Sequence, residues 1–289
     1  MSTSFAIVGA GKVGTALARL LGRAGYEFVG AASRTIESAQ RACEFAGCGE
    51  ATTRAADVTL RSALVFLTVP DDAIAAVSDA LAAEGAFRPG SVVAHCGGAL
   101  PSTVLEGARG CGAHVGSLHP MQSFATPEQA VRILPGSCCC VEGDPDAVPV
   151  LEAAARALGG HVLTIATEDK ALYHAAGCVA SGYTVALQNA ALKLNAAAGI
   201  GREDALKIML PLLRGTLENV ERVGIPQCLT GPIARGDVET VRRHVEAIRA
   251  EVPELLPLYK VMGREAVEVA LAKGTLSDQA AERLRALLK

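Results

Sequence analysis

The 289-residue sequence is half hydrophobic, contains 3% aromatic residues and carries a formal net charge of −3. This length allows two domains of ordinary size, each with its own core. The slightly negative charge argues against a general nucleic-acid binder or a polybasic membrane-surface protein. Tryptophan is absent and other aromatic residues are scarce, which disfavours stacking platforms for single-stranded nucleic acids.

The amino-terminal stretch MSTSFAIVGAG leads directly into a predicted strand. It lacks the basic region and apolar core of a secretory signal, and no apolar run in the sequence reaches the ~18–20 residues of a membrane helix. The nine cysteines include no CxxC pair, so we predict reduced thiols and no bound metal. These features predict a cytoplasmic protein that binds neither nucleic acid nor membrane.

Short apolar runs alternate with helical patterns in the first half of the chain. Predicted helices cover residues 11–24, 35–46 and 71–83, the last with Asp71 as its N-cap. Such alternation predicts a parallel sheet covered by helices. The predicted strands are residues 4–9, 27–32, 64–69, 91–95, 112–118, 137–142 and 161–165.

From about residue 168 the pattern is helical throughout. We therefore predict a first domain of residues 1–166 and an all-helical second domain, residues 167–289, for substrate binding and dimerisation. Its helices are long and mostly apolar, more than a domain of ~120 residues can bury alone, which predicts a homodimer. The predicted helices are residues 168–197, 202–222, 237–250, 253–272 and 277–288.

A glycine motif, GAGKVG, ends the first predicted strand and opens a helix, the context that a dinucleotide-binding fingerprint requires. Gly9 permits a tight turn, Gly11 lets the backbone approach a pyrophosphate, and Gly14 lets the helix pack closely on the strand. The helix N-terminus adds N–H donors. The fold class predicted is an α/β Rossmann-type dinucleotide-binding domain followed by an all-α C-terminal domain. The motif residues assigned to the cofactor are Gly9, Ala10, Gly11, Lys12, Val13 and Gly14.

The residues at the end of the second predicted strand indicate which dinucleotide binds. An NAD site has an acid there for the ribose 2′-hydroxyl, but this strand ends in Ser33, Arg34 and Thr35, and Glu27 lies at its opposite end. Hydroxyls and a guanidinium suit a 2′-phosphate. We therefore predict NADP(H) rather than NAD(H); the alternative is that Arg34 is a solvated loop charge.

Three further strand ends carry candidate residues, because sheets of this kind bind ligands at the carboxyl ends of their strands. Thr68, Val69 and Pro70 are assigned to the cofactor site. His95-Cys96-Gly97-Gly98 would let a nicotinamide ring approach, or forms a plain turn. His119, held extended by the following proline, lies in the cleft or is a satisfied, half-buried histidine.

Several motifs resemble known proteins. GAGKVG, ASRT and TVPD resemble a group that includes pyrroline-5-carboxylate reductase, deazaflavin-dependent NADP reductase and hydroxyacid dehydrogenases with a C-terminal helical domain. SLHPMQSF, KALYHAAGCVASGYTVAL and LTGPIARGDVETVRRH resemble more closely a bacterial family of uncharacterised Rossmann-like oxidoreductases with a helical domain of unknown function, over nearly the whole chain.

The resemblance implies an NADP-dependent oxidoreductase that reduces a small carbonyl or imine acid by hydride transfer. Two alternatives stay open: a non-catalytic NADP-binding or interaction protein on the same scaffold, and a deazaflavin-linked NADP reductase. Proline-forming reductases carry Gly-Ser-Gly-Pro-Ala-Tyr where this chain has ASGY at residues 180–183, so a pyrroline substrate is not implied.

The helix predicted to begin at residue 168 carries a polar stripe. Its members, at helical spacing, are Lys170, His174, Gly177, Cys178 and Ser181. The resemblance implies that this helix faces the nicotinamide, and reduction of C=O or C=N needs a proton donor and a charge stabiliser. His174 and Lys170 are the catalytic candidates, with His119 as substitute. The alternative is a surface lysine and a bonded core histidine.

The loop LTGPIARGD joins two predicted helices. Asp237 can cap the second of them, with Glu239 in its first turn. This leaves Thr230 and Arg235 free to bind a carboxylate on a small-molecule substrate, with Asn219 and Ser181 as further substrate contacts. The alternative is that an Arg235–acid pair locks a domain or dimer interface.

Overall fold

The computed structural model describes residues 2–289, which form two compact units. The first unit ends at Cys178 and the second spans Val179–Lys289. The boundary predicted at residue 166 falls where the strands end, and the first unit extends beyond it into the helix Lys170–Ala180, as far as Cys178.

The first unit is built on an eight-stranded sheet with the order β3-β2-β1-β4-β5-β6-β7-β8. All neighbours pair in parallel, as predicted, except β6 and β7, which are antiparallel. The sequence pattern missed β3, because its three residues EAT form no apolar run. The strands are β1 (Ser4–Val8), β2 (Glu27–Ala32), β3 (Glu50–Thr52), β4 (Leu64–Leu67), β5 (Val92–His95), β6 (His114–Pro120), β7 (Cys138–Gly143) and β8 (His161–Thr164).

Helices cover both faces of this sheet over two buried apolar clusters. One cluster includes Phe5 and Leu118, the other Leu67 and Val115. Asp71 was predicted as an N-cap, but Pro70 precedes a short 3-10 turn there and no side chain caps it. The helices are α1 (Lys12–Arg23), α2 (Ile36–Ala46), α3 (Ala56–Thr59), α4 (Ile74–Ala83), α5 (Glu106–Gly110), α6 (Pro127–Ile133), α7 (Val148–Ala157) and α8 (Lys170–Ala180).

The second unit is all-helical, as predicted, but the helix predicted over residues 168–197 is broken. Ser181 separates α8 from the next helix, with φ −113° and ψ −68°. Serine and glycine are poor helix formers, and both stand at this break, so Ser181 does not continue the face of Lys170. The helices are α9 (Gly182–Ala197), α10 (Arg202–Val223), α11 (Val238–Glu251), α12 (Leu256–Lys273) and α13 (Asp278–Leu287).

The core of the second unit lies among its last three helices, where Val241, Val267 and Leu284 are fully buried. In contrast, α9 has no buried residue, and α10 buries only Ala205 and Met209. Large apolar side chains on these two helices are therefore exposed in the single chain. Within residues 2–289, no helix has both the length and the apolar character to cross a membrane.

Candidate functional site

The glycine motif forms the tight turn that was predicted. Gly9 has φ +105°, and a Cβ atom there would lie 2.7 Å from the carbonyl carbon of Thr68. The Thr68 hydroxyl donates to the Gly9 carbonyl at 2.6 Å. A Cβ atom at Gly14 would lie 2.8 Å from Ile7 Cγ2. Both positions thus require glycine for close packing. A Cβ atom at Gly11 would meet only the Thr68 carbonyl oxygen, at 3.9 Å, so that side of the turn is open.

The start of α1 is open to an anion. Gly11 is its N-cap and no side chain bonds to its first N–H groups, so these donors and the positive end of the helix dipole face the turn. A cleft of about 750 Å³ lies beside this turn. Of the predicted cofactor residues, those that line it are Gly9, Ala10, Gly11, Ser33, Arg34, Thr68, Val69 and Pro70.

The other predicted cofactor residues do not line the cleft; they are Lys12, Val13, Gly14 and Thr35. The Thr35 hydroxyl donates to Ser38 Oγ at 2.9 Å, and Ser38 itself lines the cleft. Sequence reasoning missed Ser38, although it lies in the first turn of α2, directly after the predicted Ser33-Arg34-Thr35 group. Arg34 is exposed and its guanidinium forms no ion pair within residues 2–289.

A row of buried polar side chains crosses the sheet. His95 of β5 pairs in register with Ser117 of β6, and Ser117 stands opposite Glu142 of β7. Register partners point to the same face of a sheet, and all three residues are at most 1% exposed. The strands of a buried sheet are usually apolar throughout. Polar residues within such predicted strands are therefore the sequence signal that could have revealed this row.

Lys170 lies over this row and is 1% exposed. Its Nζ atom donates to Ser117 Oγ and lies 3.6 Å from Glu142 Oε1. The same carboxylate accepts from the Ser102 amide at 2.9 Å and from the Thr167 hydroxyl at 2.9 Å. Burial lowers the pKa of Lys170, and Glu142 opposes that change. The alternative that Lys170 is a surface lysine is therefore wrong.

His95 is held neutral in the interior. Its Nδ1 atom accepts from the Gly97 amide at 3.0 Å, and its Nε2 atom has no hydrogen-bond partner within residues 2–289. Burial, and then the nearby charge of Lys170, lower the pKa of His95 to about 4. His95 therefore anchors the glycine loop that follows β5.

Two further imidazoles meet at this glycine loop. The rings of His119 and His174 lie 5.8 Å apart, and a Cβ atom at Gly98 would lie 3.0 Å from Nε2 of His119 and 2.7 Å from Nε2 of His174. Both rings are half-buried. Within the part of the chain described, their hydrogen bonds are made only by Nδ1, to the Tyr173 hydroxyl at 3.2 Å and to Cys178 Sγ at 3.8 Å. The two free Nε2 atoms thus converge at the carboxyl end of β5.

The side chains of this cluster differ in the direction of their pKa shifts. Burial, followed by the charges of Lys170 and His174, lowers the pKa of His119 to about 4. Burial raises the pKa of Tyr173, so its hydroxyl stays protonated at neutral pH. Sequence reasoning missed Tyr173, although it directly precedes His174 on a predicted site helix.

The predicted substrate residues lie in the second unit. Thr230 and Arg235 share one loop and are exposed, as is Ser181, while Asn219 accepts from Arg222 at 3.2 Å. Arg235 has no acid within 4 Å in residues 2–289, so the structure shows no Arg235–acid pair within the chain. The predicted cap is confirmed, because Asp237 Oδ1 accepts from the Thr240 amide at 3.0 Å.

The fold is similar to that of solved structures over nearly the whole chain. A proposed NADP oxidoreductase from Bacteroides fragilis is 25% identical, with a TM-score of 0.73 over 92% of this chain and 98% of that one. Protein TM1727 from Thermotoga maritima is 27% identical, with a TM-score of 0.73 over 93% and 99%. An imine reductase from Myxococcus stipitatus, in complex with NADP+, is 20% identical, with a TM-score of 0.64 over 99% and 100%.

Pyrroline-5-carboxylate reductases share this fold as well. No curated protein matches the sequence. Two family models match it, a Rossmann-like domain over residues 2–120 and a domain of unknown function, DUF2520, over residues 137–266. The chain thus combines a Rossmann-like domain with the domain of unknown function DUF2520, the arrangement that its motifs predict.

Proposed function

We propose that this chain is an NADP-dependent oxidoreductase that reduces a small carbonyl or imine acid. The observation that carries the proposal is the convergence of two free imidazole Nε2 atoms on Gly98, in the same compact unit as the glycine-turn cleft. Sheets of this type bind ligands where these strands end. Hydrogen-bond donors at that place can act on a substrate atom that gains charge and then a proton.

The cleft fits NADP(H). The glycine turn and the open start of α1 suit a pyrophosphate, and Ser33, Arg34 and Ser38 offer donors for a 2′-phosphate. When bound, NADPH supplies the hydride. The similar fold of proteins named as an NADP oxidoreductase and an imine reductase supports this assignment.

The three predicted catalytic residues take different roles in this proposal. His174 delivers the proton to the reduced substrate, and His119 binds the same atom. Lys170 is too buried and too fully bonded to reach a substrate, so it acts through its positive charge on the histidines. Thr230 and Arg235, which share one loop of the second unit, stay the proposed ligands of a substrate carboxylate, and Ser181 and Asn219 stay proposed substrate contacts.

An NADPH-oxidation screen tests the proposal directly. The purified protein is offered keto acids, cyclic imines and a deazaflavin in turn, and consumption of NADPH is followed. Turnover of a keto acid or an imine supports the proposal. Turnover of the deazaflavin alone would favour a deazaflavin-linked reductase, and NADPH binding without any turnover would favour a non-catalytic NADP-binding protein.

Arg34→Ala is expected to weaken NADPH binding by about 10- to 150-fold, the effect of losing a charge-assisted hydrogen-bond pair. NADH binding should change little, because NADH lacks the 2′-phosphate. Calorimetric titration of both cofactors measures this difference. Arg88→Ala is the matched control, since Arg88 is exposed in the same unit but does not line the cleft. Equal affinities of the wild type for the two cofactors would contradict the prediction.

We also propose that the protein is a homodimer through its second unit. Val185 of α9 and Leu212 of α10 are each 70% exposed and Tyr183 is 61% exposed, whereas exposed apolar patches of this kind mark interfaces. Light scattering at micromolar concentration should give the mass of a dimer, and Val185→Arg should shift it towards the monomer. A wild-type monomer under these conditions would refute the proposal.

A further inference from the structure

We propose that His119 acts as a neutral hydrogen-bond donor to the substrate, with its tautomer fixed by Tyr173. Tyr173 donates its hydroxyl to Nδ1, so the single ring proton lies on Nε2 and faces the substrate oxygen or nitrogen. Tyr173 is then a positioning residue. The inference rests on the proposed function and adds the form in which His119 acts.

The direction of the hydrogen bond between Tyr173 and His119 follows from its neighbours. The hydroxyl lies 3.2 Å from His119 Nδ1, with the two rings edge to face at 88°. Cys140, the register partner of His119 on β7, approaches the same hydroxyl. Imidazole nitrogen is a strong acceptor and sulfur a weak one. The phenol therefore donates to Nδ1 rather than to Cys140 Sγ.

The other nitrogen is free for a ligand. Nε2 of His119 has no hydrogen-bond partner within residues 2–289, and it lies beside Gly98, where a Cβ atom would approach it to 3.0 Å. Glycine thus leaves the edge of the ring uncovered. With Nδ1 occupied as an acceptor, Nε2 must carry the proton of a neutral imidazole.

The surroundings keep the ring neutral. The groups that face His119 are Lys170, Tyr173 and His174 on α8, Cys140 on β7 and His95 on β5. Within residues 2–289 no carboxylate bonds to the His119 ring: Glu142 is bonded to Ser102, Thr167 and Lys170, and Asp71 lies beside Gly97. Burial and the Lys170 charge disfavour a second proton, and the lowered pKa of His119 means that protonation occurs only as the pH falls well below 6.

A neutral N–H group suits this role chemically. It stabilises negative charge that develops on a carbonyl oxygen or imine nitrogen, and it keeps its own proton. The proton that completes the product comes from a separate donor, which is His174 in the proposed function. The two histidines therefore have distinct roles. The hydrogen bond from Tyr173 and the charge of Lys170 determine the role of His119.

The experiment is ¹⁵N NMR of histidine-labelled protein, with the His119 signals assigned from their loss in His119→Gln. Between about pH 5.5 and 8 the His119 ring should stay neutral with its proton on Nε2, since its pKa is shifted below the usual histidine value. Tyr173→Phe should produce a mixture of the two tautomers. Tyr259→Phe is the matched control. In the second unit the Tyr259 hydroxyl lies 2.8 Å from His244 Nδ1, and the two rings are likewise edge to face.

Activity supplies a second readout once a substrate is known. The glutamine of His119→Gln keeps an N–H donor near Nε2, so its kcat should stay within about tenfold of wild type. His119→Leu, which has no donor, should lose about 10²–10³-fold, as when one oxyanion donor is removed. Equal losses in the two variants, or an imidazolium or Nδ1–H form at pH 6, would overturn the inference. The NMR result stands whether or not the reductase proposal survives.

Discussion

Lys170→Met is expected to lower the free energy of unfolding by roughly 3–5 kcal/mol, because it leaves the buried Glu142 carboxylate without its cation. Both partners are at most 1% exposed and their charged atoms lie 3.6 Å apart. Methionine has nearly the shape of the lysine stem, so packing is little changed. Urea unfolding followed by circular dichroism measures the loss.

Two further variants separate charge from packing. The double variant Lys170→Met/Glu142→Gln removes both charges and should recover a large part of the stability, because paired removal is far less costly than an orphaned ion. Arg156→Met breaks a surface ion pair with Glu152, in which the Arg156 side chain is 61% exposed, and should lower stability far less than Lys170→Met, because solvent screens such pairs. If Lys170→Met is no more harmful than Arg156→Met, the pair does not stabilise the fold.

His174→Gln is expected to lower kcat by about 10²–10⁴-fold, the usual contribution of a positioned general acid. NADPH affinity should be unchanged, since His174 does not line the cofactor cleft. Glutamine keeps the size and a hydrogen-bond donor but cannot deliver a proton.

Steady-state kinetics with the substrate found in the screen measures the effect of His174→Gln. His161→Gln is the matched control, since His161 is exposed on β8 and should leave kcat unchanged. His119→Gln should lower kcat only slightly if the His119 ring is only a hydrogen-bond donor. A His174→Gln enzyme with wild-type kcat would assign the proton to another group, and His119 would be the next candidate.

The glycine turn and the start of α1 were predictable because their determinants are local. The glycine spacing, the strand before it and the helix after it are all contained in a short stretch, and Gly9 and Gly14 are needed for contacts within that stretch and with Thr68. The cap at Asp237 is equally local. Periodicity also located most strands and helices, because each depends on burial of one face.

The polar cluster was only half predictable because its contacts are distant in sequence. Helical spacing placed Lys170 and His174 together, but it could not show that Glu142 lies opposite Ser117. That pairing depends on the reversed direction of β7, which no local pattern records. The break at Ser181 was missed because a polar stripe at helical spacing continues through it, and Tyr173 was missed because a tyrosine beside apolar residues looks like core.

The change of strand direction between β6 and β7 falls between the two segments that the family models match. The Rossmann-like match ends at residue 120, the last residue of β6, and the DUF2520 match starts at residue 137, directly before β7. One segment contributes Gly98 and His119, the other Tyr173 and His174. Neither segment contains the whole cluster, so the cluster is complete only when both segments are present, and a substitution in one segment is constrained by side chains of the other.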